Sequence, residues 1–225
     1  MSVKDQADRL RQLVVDDREE VSAENHYRSV CVISGKGGVG KTSLSVNLAL
    51  ALAISGQRVL VVDMDIGMGN VEAVIGVYAK ATMADVLNGQ DPRYCVQQTP
   101  FSVDFIAGGN ALLNVDQKKE QMNEALQAME RLFSSYHYVL FDLGAGVSDR
   151  FVPIVTSVDE LIGVTIPEPP ALTDLYGALK WVHYQDPLIP LKLVVNKAAT
   201  KKKGYRQPNE FQKLQNVSCI QTFII

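Results

Sequence analysis

Cysteine is scarce in this chain of 225 residues, and the three present, Cys31, Cys95 and Cys219, share no C-x-x-C spacing. That pattern argues against a zinc site, a redox pair or an iron–sulfur ligand set, and it suits a reducing cytoplasm. Long apolar runs are missing too: none approaches 18 residues, and Met1-Ser2-Val3-Lys4-Asp5 lacks the apolar core of a signal peptide. The expectation is a soluble, cytoplasmic protein. A large charge of one sign is absent, the formal net charge being −3. Bulk attraction to nucleic acid or to an anionic membrane is therefore not expected. His26, His137 and His183 lie far apart with no ligand spacing, so they read as surface or core histidines. No internal repeat or low-complexity tract interrupts the chain. With 47% hydrophobic and 21% charged residues, the composition is that of a globular domain with ample length for a core.

What is present centres on Ser34-Gly35-Lys36-Gly37-Gly38-Val39-Gly40-Lys41-Thr42-Ser43. The apolar run Val30-Cys31-Val32-Ile33 precedes it, and Leu44 to Ile54, of helix-forming composition, follows. Strand, glycine loop and helix in that order, with G-x-x-x-x-G-K-T from Gly35 to Thr42, are the elements of a phosphate-binding loop. Glycines let backbone N–H groups curl round a polyphosphate, and the helix N-terminus adds the positive end of its dipole. Lys41 is placed for the outer phosphates and the Thr42 hydroxyl for Mg²⁺. Lys36, one place after the first glycine, faces whatever approaches the outer side of the loop; its bland reading is an ordinary solvated lysine.

The rest of the chain alternates short apolar runs with helical stretches. Strands are predicted at Arg58–Val62, Ser102–Ile106, Tyr138–Phe141, Leu161–Ile166 and Leu191–Val195. Helices are predicted at Thr82–Leu87, Pro92–Gln97, Gln117–Phe133 and Pro169–Tyr184, with a short helical stretch ending at Ile75. The longest has Met122, Ala125, Met129 and Leu132 on one face. Strands alternating with helices predict an α/β fold in three layers, a mostly parallel sheet with helices on both faces. Residues 1–28 form a separate N-terminal unit ahead of a domain at 29–225. Val3, Ala7, Leu10 and Val14 recur there at helical spacing before the charged cluster Asp16 to Glu20. Pattern alone allows a helix docked on its own domain or an interaction helix held away from it.

Ligands of such sheets gather at the carboxyl ends of strands. Asp63, with Asp65 just after it, and Asp142 stand at predicted strand ends. A carboxylate facing Mg²⁺ neutralises charge there, and one placed further out positions the attacking water. Any single one of them would read as a turn or cap residue. Three together with a phosphate loop favour function.

K-G-G-V-G-K-T resembles the deviant phosphate loop of the MinD/ParA ATPases, a P-loop NTPase family of the SIMIBI class. The resemblance implies ATP and Mg²⁺ as cofactors and an ATP-dependent homodimer in which Lys36 crosses to the partner's nucleotide. Asp63-Met64-Asp65-Ile66-Gly67-x-x-Asn70 resembles the family's first switch, with Asp65 supporting water attack beside Lys36 in catalysis. Asp142-Leu143-Gly144-Ala145-Gly146 is similar to the second switch of the flagellar (FlhG-type) branch, with Asp142, Asp63 and Thr42 on the metal side. Leu143 departs from the small or hydroxylated residue usual there, which puts a hydroxyl contact near the γ-phosphate in question. Ile166-Pro167-Glu168-Pro169 resembles the family's P-E-P segment, and Asn196 occupies its adenine-reading position, where an amide supplies a donor and an acceptor. Asp5-Gln6-Ala7-x-x-Leu10-Arg11 resembles the N-terminal D-Q-A-x-x-L-R stretch of the flagellar branch. This implies activation of an FlhF-type GTPase, and with it flagellar basal-body switch proteins as partners.

Relatives end in an amphipathic helix that binds anionic lipid, whereas this sequence stops in a strand-like Val217–Ile225. It reads as a truncated product or a short member. Membrane binding by the chain itself is therefore not expected, and localisation at the inner face of the membrane would come through partners. The basic stretch Lys201-Lys202-Lys203 with Arg206 reads by default as a solvated loop. Three functions follow: a dimerising ATPase switch for flagellar number and placement, a mainly non-catalytic scaffold acting through its N-terminal helix, or a MinD-like division-site ATPase.

Overall fold

The computed structural model describes residues 27–65, 70–109 and 119–198 together with the backbone of 220–224. Among these residues eight strands form one sheet: β1 (Arg28–Ser34), β2 (Val59–Met64), β3 (Gln97–Gln98), β4 (Val103–Ile106), β5 (Tyr138–Ala145), β6 (Glu160–Thr165), β7 (Leu191–Val195) and β8 (Ile220–Ile224). Their order is β3-β4-β2-β5-β1-β6-β7-β8. Every pairing is parallel except β3 with β4 at one edge. The order reverses direction beside β1, the topological switch point where such sheets bind ligands.

Side-chain alternation divides the strands between two cores. Val30 and Val32 of β1, Val59 and Val61 of β2, Leu140 of β5 and Ile162 of β6 pack on one face under helix α1 (Lys41–Ile54). Helix α2 (Asn70–Ile75) contributes Val71 to the same face. The intervening residues Cys31, Ile33, Leu60, Val62, Val139, Phe141 and Leu161 pack on the other. There they meet α3 (Met83–Leu87), α4 (Lys119–Phe133), α5 (Val152–Val155) and α6 (Pro169–Gln185). Burial on both faces is why the central strands read as unbroken apolar runs.

Local chemistry sets the element ends. The Asp85 carboxylate accepts from both Thr82 N and Thr82 Oγ1 at the start of α3, at 2.7 and 2.9 Å. Proline in the first turn opens α6, where the missing N–H costs nothing. The helix expected over Pro92–Gln97 is instead one 3₁₀ turn, Pro92–Tyr94, followed by β3. Asp91 caps that turn through Arg93 N, and Gln97–Gln98 then pair with Asp104–Phe105. The strand expected to close at Asp142 runs on to Ala145, since Leu143 still pairs with Met64 of β2. Met122, Ala125 and Met129 are buried as expected, joined by Phe133, while Leu132 is half-buried. Within Val217–Ile225, Ile220–Ile224 pairs with β7 at the sheet edge.

Candidate functional site

The loop from Gly35 to Gly40 leaves β1 at the switch point and feeds straight into α1. Gly35 lies so close to α6 that a Cβ there would stand 2.1 Å from the Asp174 carbonyl carbon. At the other end Gly40 has φ +92°, a left-handed conformation that a side chain would strain. Val39, between them, is buried in the α1-side core and pins the loop down. Lys36 is exposed, on the rim.

Beneath the loop lies a closed polar cluster. Asp142 continues the alternation of Leu140, so its carboxylate points to the α1 face; Asp63 continues that of Val59 and Val61 and does the same. Lys41 Nζ donates to Asp142 Oδ1 at 2.9 Å, Ser45 Oγ to the same oxygen at 2.8 Å, and Thr42 Oγ1 to Oδ2 at 2.7 Å. Lys41, Ser45 and Asp142 are all buried. Asp63, directly opposite Asp142 in the sheet, instead accepts from two backbone N–H groups. Asp65 N reaches Oδ1 at 2.9 Å and Val71 N reaches Oδ2 at 3.1 Å. Burial pushes the Asp63 carboxyl up to about 7, the two N–H donors and Lys41 opposing and Asp142 adding to the rise.

Leu143, one residue after Asp142, necessarily turns to the opposite face, where it is buried in the core with Met64. Asp65 is half-buried at the end of β2, its Oδ1 3.2 Å from where a Cβ would stand on Gly144, so glycine there permits the approach. Arg150, its guanidinium 4.5 Å above the Phe151 ring, is held below its ordinary value by burial, with attraction to Asp65 opposing. From the far side, Asn196 Nδ2 donates to Val39 O at 2.9 Å and Lys197 Nζ to Gly38 O at 3.0 Å.

The structure thus gathers Gly35 through Ser43, Asp63, Asp65, Asp142 and Asn196 round one loop. Asp5, Gln6, Ala7, Leu10 and Arg11, the Ile66–Gly69 part of the first switch, and the Lys201–Arg206 stretch lie outside the described residues. Sequence reasoning missed Ser45, Lys197 and Arg150. For Ser45 a signal existed, because it stands four residues after Lys41 on one helix face. Lys197 and Arg150 carried none.

The donor set suits a hard divalent cation. A threonine hydroxyl and two carboxylates on one face are oxygen ligands of the kind Mg²⁺ takes when it also keeps waters and phosphate oxygens. A second positive charge is also what two adjacent buried carboxylates with one ammonium call for. Thr42, Asp63 and Asp142 are the residues that would hold it.

Comparison with known proteins agrees with this geometry. The ParA family model, described as the NUBPL iron-transfer P-loop NTPase, matches residues 25–217. The antiactivator FleN of Pseudomonas aeruginosa is 32% identical over 89% of the chain and 71% of its own length. The flagellum site-determining protein YlxH of Helicobacter pylori is 29% identical over 79% of the chain, which spans 62% of that protein. Among solved structures, the septum site-determining protein MinD of Pyrococcus horikoshii, complexed with Mg-ADP, matches with TM-score 0.68 and 26% identity. That match covers 81% of the chain and 76% of its own. As for iron transfer, the three cysteines lack C-x-x-C spacing, and Cys31 and Cys95 are buried.

Proposed function

The chain belongs to the ParA/MinD family of P-loop NTPases, and from that premise we propose that it is an ATP-hydrolysing dimerisation switch acting in flagellar number and placement. The observation that carries the reading is the Lys41–Asp142–Thr42 cluster closed beneath the glycine loop, with Lys36 left exposed on its rim. In this reading Lys41 meets the phosphates and Thr42 the Mg²⁺. The cation, when bound, would neutralise phosphate charge, and Thr42, Asp63 and Asp142 would hold it. Asn196 supplies an amide to adenine.

Two subunits then close face to face, and Lys36 of each reaches the other's phosphates. It offsets the repulsion of two polyphosphates brought together, and a cation supplied across an interface in this way is worth about 10³ to 10⁵ in rate. Asp65 orients a water towards the γ-phosphorus. The bond from that phosphorus to the bridging oxygen breaks, and ADP and phosphate leave.

The likeness to YlxH, a flagellum site-determining protein, supports the flagellar setting. So does the stretch Asp5 to Arg11, which we assign to stimulating an FlhF-type GTPase; basal-body switch proteins complete the partner set. Among the described residues no helix is long and apolar enough to cross a membrane. We place its action in the cytoplasm and, through these partners, at the inner face of the membrane.

ATP turnover measured against protein concentration tests the switch. Turnover per subunit should rise with concentration and vanish in Lys41→Ala. A flat zero rate with nucleotide still bound would instead identify a scaffold. Deleting residues 1–20 should spare turnover and remove GTPase stimulation; stimulation kept by the shortened chain would take that role away from Asp5 to Arg11, and no stimulation by the full chain would favour the division-site reading, to which the likeness to MinD also points.

A further inference from the structure

Peptide groups are planar and trans, so a carbonyl held on one side of the chain sends the next residue's N–H to the other side. In a phosphate-binding loop this matters, because N–H groups must face the anion while the carbonyl oxygens, which would repel it, face away. Two successive carbonyls of the loop, those of Gly38 and Val39, are held from outside by two successive residues at the end of β7. Lys197 Nζ donates to Gly38 O at 3.0 Å and Asn196 Nδ2 to Val39 O at 2.9 Å. Fixing the Gly38 carbonyl orients the N–H of Val39, and fixing the Val39 carbonyl orients that of Gly40.

The strap is itself built with care. Lys197 adopts φ +55°, the left-handed region that non-glycine residues seldom enter. In that conformation its N–H donates back to Asn196 Oδ1 at 2.8 Å, which sets the amide with its nitrogen towards the loop. Gly40 completes the fit, since a Cβ there would stand 2.3 Å from Asn196 Nδ2. Backbone strain kept at a binding site is a reason to look for a role.

We infer that Asn196 and Lys197 act as a strap that pre-orients the phosphate loop, making Lys197 a positioning residue for the polyphosphate rather than for the base. This rests on the reading of Gly35 to Thr42 as a phosphate loop. It goes beyond that reading by tying the base-side end of β7 mechanically to the loop. Asn196 then has two duties: one amide hydrogen and one lone pair serve the strap, and the others remain for a base edge.

The test compares Mg-ATP with Mg-tripolyphosphate, which has the phosphates and no nucleoside, by calorimetric titration. Lys197→Met should weaken both ligands by the same factor, about three- to tenfold, the range for loss of one polar contact. Lys197→Gly should weaken them equally. Glycine suits the left-handed backbone, keeps the N–H that reaches Asn196 Oδ1 and lacks the side chain that carries the ammonium. Lys197→Arg should retain part of the affinity. Weaker ATP with unchanged tripolyphosphate would place Lys197 on the nucleoside and overturn the inference. Normal affinity in Lys197→Gly beside a loss in Lys197→Met would also overturn it, by assigning the effect to the backbone. Lys41→Ala separates this failure from that of the underlying reading, because undiminished tripolyphosphate binding in that variant would sink the phosphate loop itself.

Discussion

Asp63 and Asp142 stand side by side in register on neighbouring strands, both fully buried, yet the fold equips them differently. Asp142 has an ammonium and two hydroxyl groups; Asp63 has two backbone N–H groups, one of them at the start of α2. One site is thus a charged pair and the other a desolvated carboxyl raised to about 7.

The pair is where stability is most exposed. Removing one partner of a buried ion pair costs about 3–5 kcal/mol because the other charge is stranded. Asp142→Ala should therefore lower the melting temperature of the nucleotide-free protein by about 10 °C. The double variant Lys41→Met/Asp142→Leu should recover most of that loss, since neither member of the pair is then left without its partner. Calorimetry of the three proteins checks it; additive losses would mean the two side chains do not stabilise each other.

Two glycines of the same loop should behave in opposite ways. Gly35→Ala drives a Cβ into the α6 backbone and should cost about 3 kcal/mol, at the upper end for overpacking. Gly37 has nothing within 4 Å of its own Cβ position, so Gly37→Ala should change stability by less than about 0.5 kcal/mol. Urea midpoints distinguish them.

Leu143→Thr restores a hydroxyl at the unusual position of the second switch. Because that side chain is buried in the α4–α6 core, the change should cost about 2–4 kcal/mol and leave turnover per folded subunit unaltered. Faster hydrolysis would show instead that position 143 reaches the phosphates.

Lys36 and Asp65 should part company in the proposed cycle. Lys36→Ala should keep ATP affinity, lose ATP-dependent dimers on a sizing column and slow turnover about 10³-fold. Asp65→Ala should form dimers that persist. Normal dimers in the first variant would defeat transfer of Lys36 across the interface; normal turnover in the second would remove Asp65 from water positioning.

Fold class and most element positions were legible in the residues alone, because strands buried on both faces and helices buried on one leave different apolar periods. So was the loop, where glycine, lysine and threonine sit at spacings that few other structures require. What lies across the loop came from the folding of distant segments onto one another. Lys41 meets Asp142, 101 residues away, and Lys197 meets Gly38, 159 residues away, through strand order that no local pattern encodes. Leu143 shows the limit most sharply. In sequence it adjoins a site aspartate, yet the two-residue period of a strand, carried on to Ala145 by pairing with β2, turns it into the core.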